Sequence, residues 1–417
     1  MRIPAASTAL LIFLSSNLAN LGNLVFNMLF GRWMNPTDFA LLAACLTVLL
    51  GGMGLLEALR MAASHQMADA APDRRTAQEA ALARLSRRAL LPGLILSILG
   101  AAVWLALQGR DAAPWVLLFM ALPVAMPLSI LRGLALGRMQ AVPVVVSGQA
   151  EMLFRLLGAV LAWQAGLGMG GVVLALALSI GAAWLVLDRS VVMPAMRRHA
   201  PANLPVGRLV VASLPFAALQ AAQLGALDAD VLLAWLVLPA DQTGLVAALC
   251  LFQRVQFYAC FGLASVLLPA VALARAQGAA LGPAIRPIIL LSGAVAATCL
   301  LAATVFPTWV LNALVGPQYA AAATGLGMAS AAAALFTFGY MAATLMLAQG
   351  DWRGLAILTA GAACQGLAII ALPHATLEGF LITKLVAQGA TALGLAMVLL
   401  LPARSQRPQP ASIGIRP

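Results

Sequence analysis

Charge is what this chain has least of. Only 9% of its 417 residues are Asp, Glu, Lys or Arg, while 63% are hydrophobic and the mean hydropathy is +0.98. A soluble domain carries about a quarter charged residues, so that class is excluded and a polytopic membrane protein is implied. Lysine is almost absent: of 24 basic residues only Lys384 is one, against 13 acidic residues. The net charge of +11 does not point to nucleic acid. A nucleic-acid binder gathers its charge on a hydrated face, whereas here it lies between apolar runs. His65, His199 and His374 stand isolated, and Cys45, Cys250, Cys260, Cys299 and Cys364 sit in apolar runs without CxxC or metal-ligand spacing. Gly-rich nucleotide loops and nucleophile–base pairs are missing as well. Neither a metal, nor a cofactor, nor an enzyme activity is expected.

What is present is a series of apolar runs long enough to cross a bilayer, each of roughly 20 residues or more. Twelve are predicted, at 8–30, 38–59, 89–107, 113–134, 143–164, 168–187, 209–238, 243–272, 285–306, 320–348, 353–373 and 377–402. The first is too long for a cleaved signal and is expected to remain as a span. Arginines, among them Arg2, Arg60, Arg74, Arg132, Arg138, Arg189 and Arg353, fall on the side of the termini, and only Arg32 and Arg110 fall opposite. Such a bias predicts that both termini are cytoplasmic. The connection from Asp69 to Arg88 reads as a basic amphipathic helix at the interface. A Pro-rich basic segment at 196–208 separates an N-terminal six-helix lobe, 1–195, from a C-terminal one, 209–403, and 404–417 reads as a disordered tail.

The halves echo each other. NPTDFALLAAC around Pro36 and Asp38 corresponds to LPADQTGLVAALC around Pro239 and Asp241, and GLALGRMQ around Leu136 to TLMLAQGD around Leu347. Parallel six-span repeats are a transporter signature, with the site near the midplane.

Polar residues inside the spans are the candidate site. An intramembrane charge costs about 2.5–3.5 kcal/mol on insertion scales, so each needs a partner or water. Counted at ~1.5 Å per residue from the turn at Pro239, Asp230 and Arg254 lie within roughly 6 Å in depth; they either pair or face a substrate. Asp228 cannot share a helical face with Asp230, so either the helix is irregular near Gly225 or the two carboxylates face different surroundings. Glu151 and Arg155, four apart, form an intrahelical pair or a phosphate ligand with its orienting carboxylate. Lys384 lies about two turns into the last span, where it either snorkels to the interface or faces a cavity. Asn17, Asn20, Asn23 and Asn27 make a polar stripe that bonds a neighbouring helix or lines a cavity. Glu57 is expected at the interface, and Pro123, Pro127, Pro215 and Pro269 are candidate kink sites.

Three segments carry a family resemblance: FGRWMNPTDFALLAA at Phe30–Ala44; DADVLLAWLVLPADQTGLVAA with the later Arg254 and LLPAVA; and VFPTWVLNALVGPQYAAAATGLGMAS. They resemble bacterial polysaccharide transporters, the lipid-linked oligosaccharide flippases, in the superfamily that also holds multidrug extruders and lipid II flippases. The resemblance implies an all-α fold of about 12 transmembrane helices in two pseudo-symmetric six-helix lobes around a central cavity, working by alternating access. It implies export of a polyprenyl-pyrophosphate-linked O-antigen or exopolysaccharide unit across the bacterial inner membrane, with membrane lipids, a polysaccharide polymerase and glycosyltransferases as partners. On that reading Arg155, Arg254 and Lys384 bind phosphate, Asn17, Asn20 and Asn27 line the cavity, and Asp230, Asp228 and Glu151 are coupling or charge-pair residues. The rivals are a cation-coupled multidrug extruder, a membrane-embedded glycan polymerase or ligase, and a non-transporting scaffold. An extruder of cations favours an acid in the first span, where this chain has asparagines. A polymerase would need a large periplasmic loop.

Overall fold

In lipid every backbone polar group must be satisfied within its own segment, which leaves helices as the solution for runs of Leu, Ala, Val and Ile. The computed structural model describes residues 5–68, 74–108, 113–138, 140–192, 206–264, 271, 281–372 and 376–400; among them there are helices and turns but no strand. Among the described residues, eleven helical segments are counted as long and apolar enough to span a membrane. The first apolar run forms α1, Ala5–Trp33; at 1.5 Å per residue it is about 43 Å long, more than a hydrocarbon core of roughly 30 Å requires.

The chain divides into two compact units, Met1–Gln220 and Ala221–Pro417. The division falls inside a helix, α9 (Val206–Gln223); most of the basic segment at 196–208, together with Pro269, His199, His374 and the tail at 404–417, lies outside the described residues.

In the first unit α1 leads into α2, Pro36–Ala68. Asn35 starts α2 as its cap: its side-chain oxygen accepts the Asp38 N–H at 2.8 Å, and its amide donates to the Asp38 carboxylate at 2.8 Å. Pro36 follows in the first turn, where a missing N–H costs no helical bond. The expected amphipathic helix is α3, Arg75–Arg88, whose Ala80–Ala83 face is buried and whose Glu79 meets Arg138 at 3.3 Å. Then come α4 (Leu90–Gln108), α5 (Ala113–Phe119), α6 (Leu122–Gly137), α7 (Ala141–Gln164) and α8 (Gly168–Leu187), the last running into a π-helical turn at Asp188–Val192. Pro123 lies within the apolar segment Ala113–Gly137, as expected, in the first turn of α6 just after the break from α5; Pro127 and Pro215 are inside helices.

The second unit carries the end of α9, a π-helical turn at Leu224–Asp228, α10 (Asp230–Val237) and α11 (Ala240–Ala264). Beyond these lie α12 (Leu281–Val305), α13 (Pro307–Leu314), a tight turn at Pro317–Ala322, α14 (Ala323–Ala348), α15 (Arg353–Ala371) and α16 (Leu377–Leu400).

Neighbour relations repeat between the units. In the first, α2 packs on α6, α1 on α7, α4 on α6, and α7 on α8; in the second, α11 packs on α14, α10 on α15, α12 on α14, and α15 on α16. The matching GLALG and TLMLA segments end α6 and α14, at equivalent places in each unit.

Candidate functional site: a cationic cavity and a buried charge network

Close approach of two helices builds the first site. A Cβ added at Gly133 of α6 would stand 2.4 Å from the Arg60 carbonyl oxygen, and one at Gly137 would stand 2.6 Å from that of Ser64. Only glycine permits this backbone contact, and the G-x-x-x-G spacing is the small-residue pattern of tightly packed membrane helices. It sets Arg60 of α2 beside Arg132 of α6.

Arg132 reaches α7, donating to Ser147 Oγ at 3.1 Å and to Glu151 Oε2 at 2.8 Å. One turn further along α7, Arg155 donates to Glu151 Oε1 at 2.5 Å and to Asn23 Oδ1 of α1 at 2.6 Å. Arg155 is 3% exposed. Asn27, also buried, donates back to the Asn23 carbonyl at 2.7 Å. Arg60 pairs with Glu57 on its own helix.

These groups surround a cavity of about 250 Å³, lined among others by Asn20, Asn23, Arg60, Arg132, Glu151 and Arg155. Three guanidinium groups therefore meet at a cavity whose lining carboxylate is Glu151, with Glu57 paired to Arg60 alongside. The Nε of each of these arginines is buried and donates no hydrogen bond to any described residue. Several guanidinium groups around one cavity favour an anion, because bonds between ionised partners are stronger than neutral ones.

The second unit holds a different arrangement. At Leu224–Asp228 the chain takes one π-helical turn, closed by the Ala229 N–H to Leu224 carbonyl bond at 2.7 Å. A π turn takes carbonyls out of the regular ladder. That of Ala226 accepts from Gln365 of α15 at 3.1 Å and from Gln388 of α16 at 3.4 Å. The irregularity expected near Gly225 is thus present, and it sends the two aspartates to different partners. Asp228 accepts from Arg254 Nε of α11 at 2.8 Å, and its backbone carbonyl from Arg254 Nη2 at 3.2 Å. Asp230 is ion-paired with Lys384 of α16 and receives Gln365 Nε2 at 3.4 Å. Lys384 also donates to Gln253 Oε1 at 2.8 Å.

Several expectations are corrected here. Arg254 pairs with Asp228 and not with Asp230, because depth along an ideal helix takes no account of the rotation the π turn adds. Lys384 does not snorkel: it is 0% exposed and held by Asp230. Neither Arg254 nor Lys384 lines the described cavity. Arg60 and Arg132 are not loop charges but helical residues on the cavity wall. Of the asparagine stripe, Asn20 and Asn23 line the cavity, Asn27 is buried behind them and Asn17 is exposed. His65, expected to stand alone, stacks on Phe216 with ring centroids 6.3 Å apart. Cys364, although in an apolar run, is exposed.

The fold is that of a known class of membrane transporter. An inward-facing multidrug resistance MATE family transporter of the MOP superfamily matches with a TM-score of 0.74 at 15% identity, over 91% of this chain and 94% of that one. The outward-facing conformation of such a transporter matches at 0.66 and 14% identity, over 94% of each chain. A MOP superfamily transporter from Pyrococcus furiosus, described as having a binding pocket of reversed polarity that suggests a different function, matches at 0.68 and 13% identity, over 94% of each chain. No family model and no curated protein matches the sequence.

Proposed function

We propose that this chain is an inner-membrane transporter that carries a lipid-linked anion, a polyprenyl-pyrophosphate oligosaccharide, from the cytoplasmic to the periplasmic leaflet, with both termini in the cytoplasm. The observation that carries this reading is the cavity in the first unit, where Arg60, Arg132 and Arg155 meet and carry between them a net positive charge over Glu57 and Glu151. A diphosphate head needs such compensation to leave water, and the adjoining asparagines suit sugar hydroxyls. At about 250 Å³ the cavity is below the roughly 300–1,000 Å³ of pockets that engulf a drug-sized ligand. That volume accommodates the diphosphate of such a head group, with its oligosaccharide and lipid tail outside the cavity. Alternating access is supported by the likeness to transporters solved in both inward-facing and outward-facing states. Membrane lipids, a polymerase and glycosyltransferases are the partners this reading implies.

A multidrug extruder is the second reading, favoured by the names of the similar structures. The charge of the substrate separates the two. In cells lacking the chromosomal copy, the wild-type chain should restore surface glycan and leave sensitivity to cationic dyes unchanged, while the Arg132→Gln/Arg155→Gln variant should fail to restore glycan. Dye resistance without glycan rescue would establish the extruder instead.

A further inference from the structure

Glu151 sits where a substrate anion would sit. Its two oxygens accept one bond each, Oε1 from Arg155 at 2.5 Å and Oε2 from Arg132 at 2.8 Å. It therefore bridges the two guanidinium groups as a bound oxyanion would, while the Nε edges of Arg60, Arg132 and Arg155 stay unbonded. Being one helical turn from Arg155, it cannot diffuse away, and any ligand anion must displace it.

We propose that Glu151 is a built-in competitor that sets the charge a head group must carry to occupy the cavity. It rejects monoanionic phosphodiesters, the chemistry of bulk anionic lipid, and yields to a diphosphate. This rests on the anion-transport reading above and names what that site selects. The carboxylate has one negative charge and two acceptor oxygens. A phosphodiester offers the same charge and the same number of non-bridging oxygens, so exchanging it for Glu151 gains no bond and leaves an expelled carboxylate close by. A diphosphate brings at least one more charge and additional oxygens. It can bond Arg132 and Arg155 together through more oxygens than a carboxylate offers. Discrimination thus comes from a repulsive element placed inside an attractive site. Anionic lipid is abundant around any such transporter, and without a filter it would compete for a cationic cavity.

The test uses the full chain in zwitterionic-lipid nanodiscs, titrated by calorimetry with inorganic pyrophosphate and, separately, with dimethyl phosphate. Wild type should prefer pyrophosphate by about tenfold or more, the worth of one extra charge-assisted bond. Glu151→Gln should bind both anions more tightly, with the preference falling to about threefold or less, because the amide keeps the shape but not the charge. Glu151→Asp should restore most of the preference, which loss of packing would not explain. A preference retained in Glu151→Gln overturns the proposal while leaving the cavity reading intact, provided Arg155→Gln abolishes pyrophosphate binding. A wild-type preference near one overturns it without any variant. If wild type binds neither anion, both the proposal and the cavity reading fall.

Discussion

Lys384 and Asp230 are the most deeply buried charges among the described residues of the second unit, 0% and 1% exposed. Removing one partner of such a pair strands the other, at a cost of about 3–5 kcal/mol, whereas replacing both with neutral groups of similar shape is often harmless. Lys384→Met is therefore expected to lower the unfolding midpoint in detergent sharply, and Asp230→Asn/Lys384→Met to recover most of the loss. Additive loss in the double variant would contradict the pairing. Sequence showed that these charges needed partners but not which ones. The cost of an intramembrane charge is legible one residue at a time, while the identity of its counter-charge depends on which helix packs alongside. Arg155 with Glu151 was readable because four-residue spacing fixes the contact within one helix. Arg60 and Arg132 were hidden by their position at the ends of the predicted runs 38–59 and 113–134, where arginine ordinarily reports orientation. Gly133 and Gly137 beside them were the available signal, since that spacing draws α6 onto α2.

At the level of elements, two local features place the side chains. Gly133 lets α6 touch the α2 backbone. Gly133→Val would force the helices apart and is expected to cost about 1–3 kcal/mol through overpacking, with a matching loss of anion binding as Arg60 and Arg132 separate. Gly181→Ala in α8, where an added Cβ meets nothing within 4 Å, should be neutral or stabilising by up to roughly 1 kcal/mol. Thermal unfolding of both variants separates a site-specific clash from a general intolerance of glycine loss. The π-helical turn at Leu224–Asp228 is the other feature. Gln365→Leu removes a donor from the Ala226 carbonyl and should destabilise by about 1–3 kcal/mol, seen as faster amide exchange across residues 224–230. The apolar runs and their approximate ends were legible, because span length and hydropathy follow from the bilayer. The π turn was foreseen only as one of two ways to accommodate Asp228 and Asp230.

For the whole molecule, the repeat read from Pro36/Asp38 and Pro239/Asp241 corresponds to real structural equivalence, since the two units share their order of helix neighbours. Their charged residues are not equivalent. The first unit gathers guanidinium groups on a cavity, and the second pairs its described buried charges, Asp228 with Arg254 and Asp230 with Lys384. A common fold thus carries an open cationic site in one unit and a closed network in the other, so neutralising the first should abolish transport with little effect on folding. The most direct measurement is delivery of a short-chain polyprenyl-diphosphate sugar across proteoliposome membranes, wild type against Arg132→Gln/Arg155→Gln. Losing two charge-assisted contacts should slow delivery by about a hundredfold or more, with unchanged insertion and melting. An unchanged rate, or wild-type protein that moves a cationic dye and leaves the diphosphate behind, would contradict the account.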